Sequence, residues 1–139
     1  MELLFTIANM VVLPAWVLLA FFPNATVTNK LVKSYAWHIA LAILYTVFIF
    51  WGMQENASAE GAGMGSLEQL RIGFLNDKIL LAAWVHYLVF DLFVGVWIVN
   101  ESEKLSLNKW LVMPMLFLTL MLGPVGFLLF HVYKKLKSN

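Results

Sequence analysis

Apolar residues come in long blocks here, separated by short polar stretches. The blocks run from about 3 to 22, 35 to 53, 79 to 99 and 110 to 133. About 20 consecutive apolar residues carry a helix across the roughly 30 Å hydrocarbon core of a bilayer, so the pattern predicts four transmembrane helices. Trp and Tyr fall where such helices meet headgroups: Tyr35 and Trp37 open the second block and Trp51 closes it, Trp97 and Trp110 flank the third loop, and Tyr133 comes last. This is the aromatic belt of a spanning bundle. Pro14 and Pro114 interrupt the first and fourth blocks, and Gly123-Pro124-Val125-Gly126 weakens the fourth further by removing a backbone donor. The expected architecture is all-α, an integral membrane protein with four helices in one bundle and no second domain.

The only long polar stretch is Gln54 to Lys78. Its Gly61-Ala62-Gly63-Met64-Gly65 run lacks the Gly-Lys-Ser/Thr ending and the preceding strand of a phosphate cradle, so it reads as a hinge. Ser66 with Gln69 three residues on forms a capping-box pattern, and Leu67, Leu70 and Phe74 share a helical face. A short interfacial helix is expected before the third span.

Composition agrees with the pattern. Of 139 residues, 62% are hydrophobic and 12% are charged, against about 25% charged in a soluble domain. With no cysteine, disulfides, Cys-ligated zinc, iron–sulfur clusters and a thiol nucleophile are excluded. A formal net charge of +1 supplies no field for nucleic acid. The chain opens Met1-Glu2-Leu3-Leu4, without a basic leader or cleavage site, so a retained N-terminus without an organelle transit segment is the expectation. Four spans would bring both termini and the middle loop to one face, with five basic residues there against four opposite. That balance leaves orientation open, and the Lys134-Lys135-Leu136-Lys137 cluster tips it toward cytoplasmic termini.

One carboxyl group lies deep in oil. Asp91 is twelve residues into the third block, and an ionised side chain near the bilayer centre costs at least about 2.5 to 3.5 kcal/mol on insertion scales. Tyr87 is one helical turn away on the same face, whereas His86 is about 140° round, with Phe90, Val94 and Trp97 between. Counting about 1.5 Å per residue from each midpoint puts Asp91 and His38 on the same side of the midplane, close enough to meet; Asn9, Tyr45 and His86 sit nearer its other side or its centre. Two readings stand. Asp91, Tyr87 and His38 form either a polar clasp that fixes helix register or an acid/base site in which an imidazole holds or relays a proton. His38, His86 and Asp91 suffice in number for a metal, but no compact His-x-x-His or Glu-x-x-His spacing occurs, and nothing else favours haem; neither metal nor cofactor is expected.

The run Leu81-Ala82-Ala83-Trp84-Val85-His86-Tyr87-Leu88-Val89-Phe90-Asp91-Leu92-Phe93-Val94-Gly95, with Pro114 and Leu122-Gly123-Pro124-Val125-Gly126-Phe127, resembles the abscisic-acid-deficient-four-like family of small four-span membrane proteins. Its plant member is tied to neoxanthin synthesis. The resemblance implies an intramolecular isomerase acting on a carotenoid or other apolar isoprenoid, in which an acid serves an epoxide oxygen and a base removes a carbon-bound proton. His86 and Asp91 would divide those roles, with Tyr87 or His38 as orienting partner. Trp84, Phe90 and Trp97 would line a polyene slot, with Asn9 and Tyr45 counted among the substrate-binding residues. The alternative is a non-catalytic lipid- or pigment-binding module that assists other membrane enzymes or self-associates. The Val94-Gly95-Val96-Trp97 run is similar to the bacterial branch, which implies the bacterial inner membrane.

Overall fold

The computed structural model describes residues 1–56 and 60–137. Residues 57–59 of the polar middle loop lie outside them. The described chain is helical: α1 (Glu2–Phe21), α2 (Thr26–Thr28) running into a π-helical turn (Asn29–Lys33), α3 (Ala36–Asn56), α4 (Leu67–Gly73), α5 (Asp77–Lys104), α6 (Lys109–Leu122) and α7 (Pro124–Lys137). Among these residues three helical stretches, Glu2–Phe21, Thr26–Glu55 and Asp77–Lys104, are long and apolar enough to cross a membrane. The all-helical, membrane-apolar architecture stands.

Helix starts follow the side chains available. The Asn76 side chain accepts from Lys78 N (2.9 Å) and Ile79 N (3.3 Å) to open α5, and Asn108 accepts from Trp110 N (3.0 Å) to open α6. At α4, Ser66 Oγ accepts from Gln69 N, while Gln69 Oε1 reaches back to accept from Gly65 N (2.9 Å). Gly63 N also donates to Gln69 O (3.3 Å), so the glycine run is tied to the expected interfacial helix by backbone hydrogen bonds.

Helix α5 is the axis of the bundle, burying Leu81, Ala82, Val85, Leu88, Asp91, Leu92, Gly95 and Val96. Helix α1 runs parallel to it, with Phe5 on Trp84 and Trp16 over Gly95. Helix α3 runs antiparallel, with Tyr35 on Phe93, Tyr45 near His86 and Gly52 against Ile79. Ion pairs pin the ends: Lys78 to Glu55 (2.5 Å) at one, Lys33 to Glu103 (2.6 Å) at the other.

The stretch expected as a fourth crossing behaves differently, and the count of four spans is not confirmed. It divides at Gly123 (φ +29°) into α6 and α7, each 14 residues or about 21 Å long. Pro124 offers no backbone donor, and Gly123 adopts a backbone conformation rare for L-residues, so the helix stops there. Contacts with α5 then reverse. Helix α6 climbs until its Met121 carbonyl accepts from Tyr87 Oη (3.0 Å). Helix α7 starts with Gly123 against Asp91, lays Phe127 and Phe130 on Trp97 (5.2 and 5.5 Å), and ends with Lys134 paired to Glu101. It therefore returns toward the end of the bundle where α6 began. The expectation that both ends of the chain share a face is corrected: the C-terminal end of α7 lies with the first and third loops, opposite Met1.

Glu101 lies beyond the apolar stretch of α5, and hydrogen bonds from Lys104 and then Lys134 hold its carboxyl below the ordinary glutamate range. A depressed carboxyl pKa contributes stability that is present above the unfolded value and lost as pH falls through the folded one. Acidification through that window should release the last turns of α7, seen as faster amide exchange there at pH 3 than at pH 7 after correction for intrinsic rates, with α5 protected throughout.

Candidate functional site

The polar groups expected to converge are distributed over three places around α5. The first is the bend of the α6–α7 hairpin. Asp91 is 7% exposed, and its Oδ2 has no hydrogen-bond partner among the described residues. Tyr87 lies beside it one turn earlier. A Cβ on Gly123 would overlap the Asp91 carboxylate, so the glycine is what lets the bend approach so closely. Breaking a helix inside oil frees carbonyls that must find donors, and Tyr87 Oη supplies one to Met121. Asp91 meanwhile stands at the N-terminal end of α7, where backbone dipoles favour negative charge. Tyr87 thus bonds to the helix break, and the Asp91 carboxylate abuts it.

His38 occupies the second place. It is buried in α3 against Tyr35 (5.2 Å) and Phe93 (6.2 Å), near the Leu92 backbone. Phe93 is two residues past Asp91 and faces another side of α5, so the structure does not bring His38 to Asp91. Helix rotation, which counting residues along a span leaves undetermined, decided the outcome.

The third place is a groove of about 710 Å³ between α3, α4 and the first half of α5. His86 lies in it, its ring 4.6 Å from Phe90 and 5.7 Å from Tyr45. The other walls are mainly apolar: Ile49, Met53, Ala62, Met64, Leu70, Phe74, Ile79 and Ala83, with Gly63 and Gly73. His86 and Asp91 thus face different surroundings, whereas the sequence reading has the two divide the acid and base roles of one site. Tyr45 joins His86, whereas the sequence counted it only for its depth. The contributions of α4, Met53, Phe74 and Gly73 were missed as site residues, although the shared apolar face of Leu67, Leu70 and Phe74 was visible.

The remaining expected residues separate too. Asn9 holds Trp84 through Trp84 Nε1 (3.0 Å) while donating to Phe5 O (2.8 Å). Trp84 stacks on Tyr87 (5.3 Å), and both line a second groove of about 510 Å³ with Met1, Phe5, Leu80 and Ala83. Trp97 is not beside these rings; it packs α7 onto α5 and receives Lys134 over its face (5.6 Å).

In the comparisons with known proteins, a family model described as ABA DEFICIENT 4-like matches residues 3–130. Protein ABA DEFICIENT 4, chloroplastic, of Arabidopsis thaliana is 27% identical over 139 residues, an alignment covering 97% of this chain and 62% of that protein. The chain therefore spans less than two thirds of the length of this curated relative. No solved structure matches it. The match covers the three apolar helices, the Trp84–Asp91 run and the Gly123-Pro124 break together, so the chain belongs to the ABA DEFICIENT 4-like family.

Proposed function

We propose that this membrane protein takes a carotenoid-like or other isoprenoid ligand into the lateral groove beneath α4 and isomerises it there by acid/base chemistry without a cofactor. The supporting observation is the pairing of His86 and Tyr45 as the titratable groups of an otherwise apolar groove between helices. Clefts of this size and lining suit apolar ligands with a few polar groups for orientation. An imidazole can take a proton from carbon and a phenol can give one to an oxygen; together they provide the two halves of an isomerisation with no net redox change. Asp91, gripped at the hairpin bend, serves as the clasp that holds α5 in place and takes no part in the proton transfer. The bacterial inner membrane is the location we propose, on the strength of the Val94–Trp97 run.

Gly73 gives a direct test, because a Cβ there meets nothing within 4 Å while the residue lines the groove. Gly73→Phe should fill the space without straining α4. The protein purified from a carotenoid-producing host should then lose its bound pigment at unchanged helix content and melting temperature. Equal pigment in variant and wild type would place the ligand elsewhere. The non-catalytic reading predicts the same loss of pigment but no change in host pigment profile when His86 is replaced.

A further inference from the structure

The reversal of α7 redistributes charge between the two ends of the bundle. The end made by the first loop, the third loop and the returning α7 carries Lys30, Lys33, Lys104, Lys109 and the lysines of the Lys134–Lys137 turn. Seven of the nine basic residues and only two of the eight acidic ones are there. The opposite end, with Met1, α4 and the start of α5, has Arg71 and Lys78 against Glu2, Glu55, Glu60, Glu68 and Asp77. Had the fourth stretch crossed, the lysines of α7 would have joined this acidic end and evened the balance.

We propose that the lysine-rich end is a surface for anionic phospholipid headgroups and lies on the cytoplasmic side, with the N-terminus and α4 on the other side. Basic residues in short loops close to span ends set orientation, and acidic residues hardly offset them. Seven against two is a decisive bias where a four-span arrangement gave none. The geometry suits a headgroup surface: Lys134 lies over Trp97 and against Glu101, so the returning helix is fixed at the depth of the aromatic belt. Lysines within the surface field each attract acidic lipid, and the negative potential is strongest on the cytoplasmic leaflet. The Trp110 ring beneath Lys109 (5.4 Å) adds an interfacial anchor at the same level.

The absence of native cysteine makes the test clean, since single-cysteine variants carry one thiol each. Met64→Cys, at a 91% exposed position, reports the α4 end; Lys30→Cys and Lys137→Cys report the lysine-rich end. With a membrane-impermeant maleimide on intact cells, Met64→Cys should label, while the other two label only after permeabilisation. Labelling of Lys137→Cys alongside Met64→Cys in intact cells would mean that α7 crosses the bilayer, and the reverse pattern would mean the opposite orientation; either overturns the proposal. Protein reconstituted in mixed phosphatidylglycerol and phosphatidylcholine, then extracted in mild detergent, should retain phosphatidylglycerol by native mass spectrometry. Retention should fall roughly fivefold for each of Lys30, Lys109 and Lys137 changed to Gln. Equal retention of both lipids by the wild type would remove the anionic preference.

Discussion

Gly126→Ala is expected to destabilise the protein by about 3 kcal/mol, at the upper end of the usual range for overpacking a tight contact. The position is the crossing point of α6 and α7. A Cβ there would overlap Thr119 Oγ1 and Thr119 N and come within 2.6 Å of the Met115 carbonyl, and backbone atoms of a packed helix cannot step aside as a flexible side chain can. The hairpin must open, and Phe130, fully buried against Trp97, must leave its place. Thermal unfolding in detergent should show a lower midpoint, and α7 should lose exchange protection first. Gly123→Ala should be milder, because its obstacle is the end of the Asp91 side chain, although its positive φ adds strain. The specific signature is coupling: in an Asp91→Ala background the Gly123→Ala penalty should shrink by roughly 1 to 2 kcal/mol. Strict additivity would mean that Asp91 does not abut the bend.

On the function proposed above, His86→Ala should lower turnover by roughly 10² to 10⁴ fold, the usual contribution of a positioned general acid or base. The groove would be enlarged, not collapsed, so pigment should still co-purify with the variant. That separation of binding from turnover is what distinguishes a proton-transfer group from a wall of the pocket. Tyr45→Phe keeps the ring against His86 and removes only the hydroxyl, so its loss should also appear in turnover and leave binding in place. Asp91→Asn preserves shape at the bend; with its clasp role it should affect melting more than turnover. A full loss of turnover in Asp91→Asn with unchanged stability, and none in His86→Ala, would return the chemistry to the buried carboxyl.

Much of this molecule was legible as one-dimensional pattern. The ends of α1, α3 and α5 fall within a few residues of the apolar blocks because burial in oil and helix length are read directly from composition. The Ser66 cap and α4 were equally visible, since a capping box is a local hydrogen-bond device. The angle of about 140° between His86 and Asp91 was legible because both are on one helix, yet the sequence reading still gave them one shared site. It failed for His38 and Trp97, whose neighbours depend on how α3 and α7 rotate against α5. The fourth block shows the limit best. Its breakers at Gly123 and Pro124 were plain, but whether a weakened helix kinks and continues or folds back depends on what awaits its two halves. Here Gly126 gives α6 a close seat, Tyr87 satisfies a freed carbonyl and Trp97 receives Phe127 and Phe130. None of these partners is near in sequence.

A hairpin that stops at the level of Tyr87 leaves its would-be track vacant above it. Helix α6 packs on α1 and α5 with Leu116 buried, and beyond its tip, where Met121 meets Tyr87, lies the α1–α5 groove lined by Phe5, Leu80 and Trp84. Acyl chains of the adjoining leaflet are the natural filler of that slot, so the fold is completed by its solvent on one side and by its own chain on the other. Tightness of this bundle should consequently vary with the length and order of the surrounding lipid tails, far more on the α4 side than on the lysine-rich one.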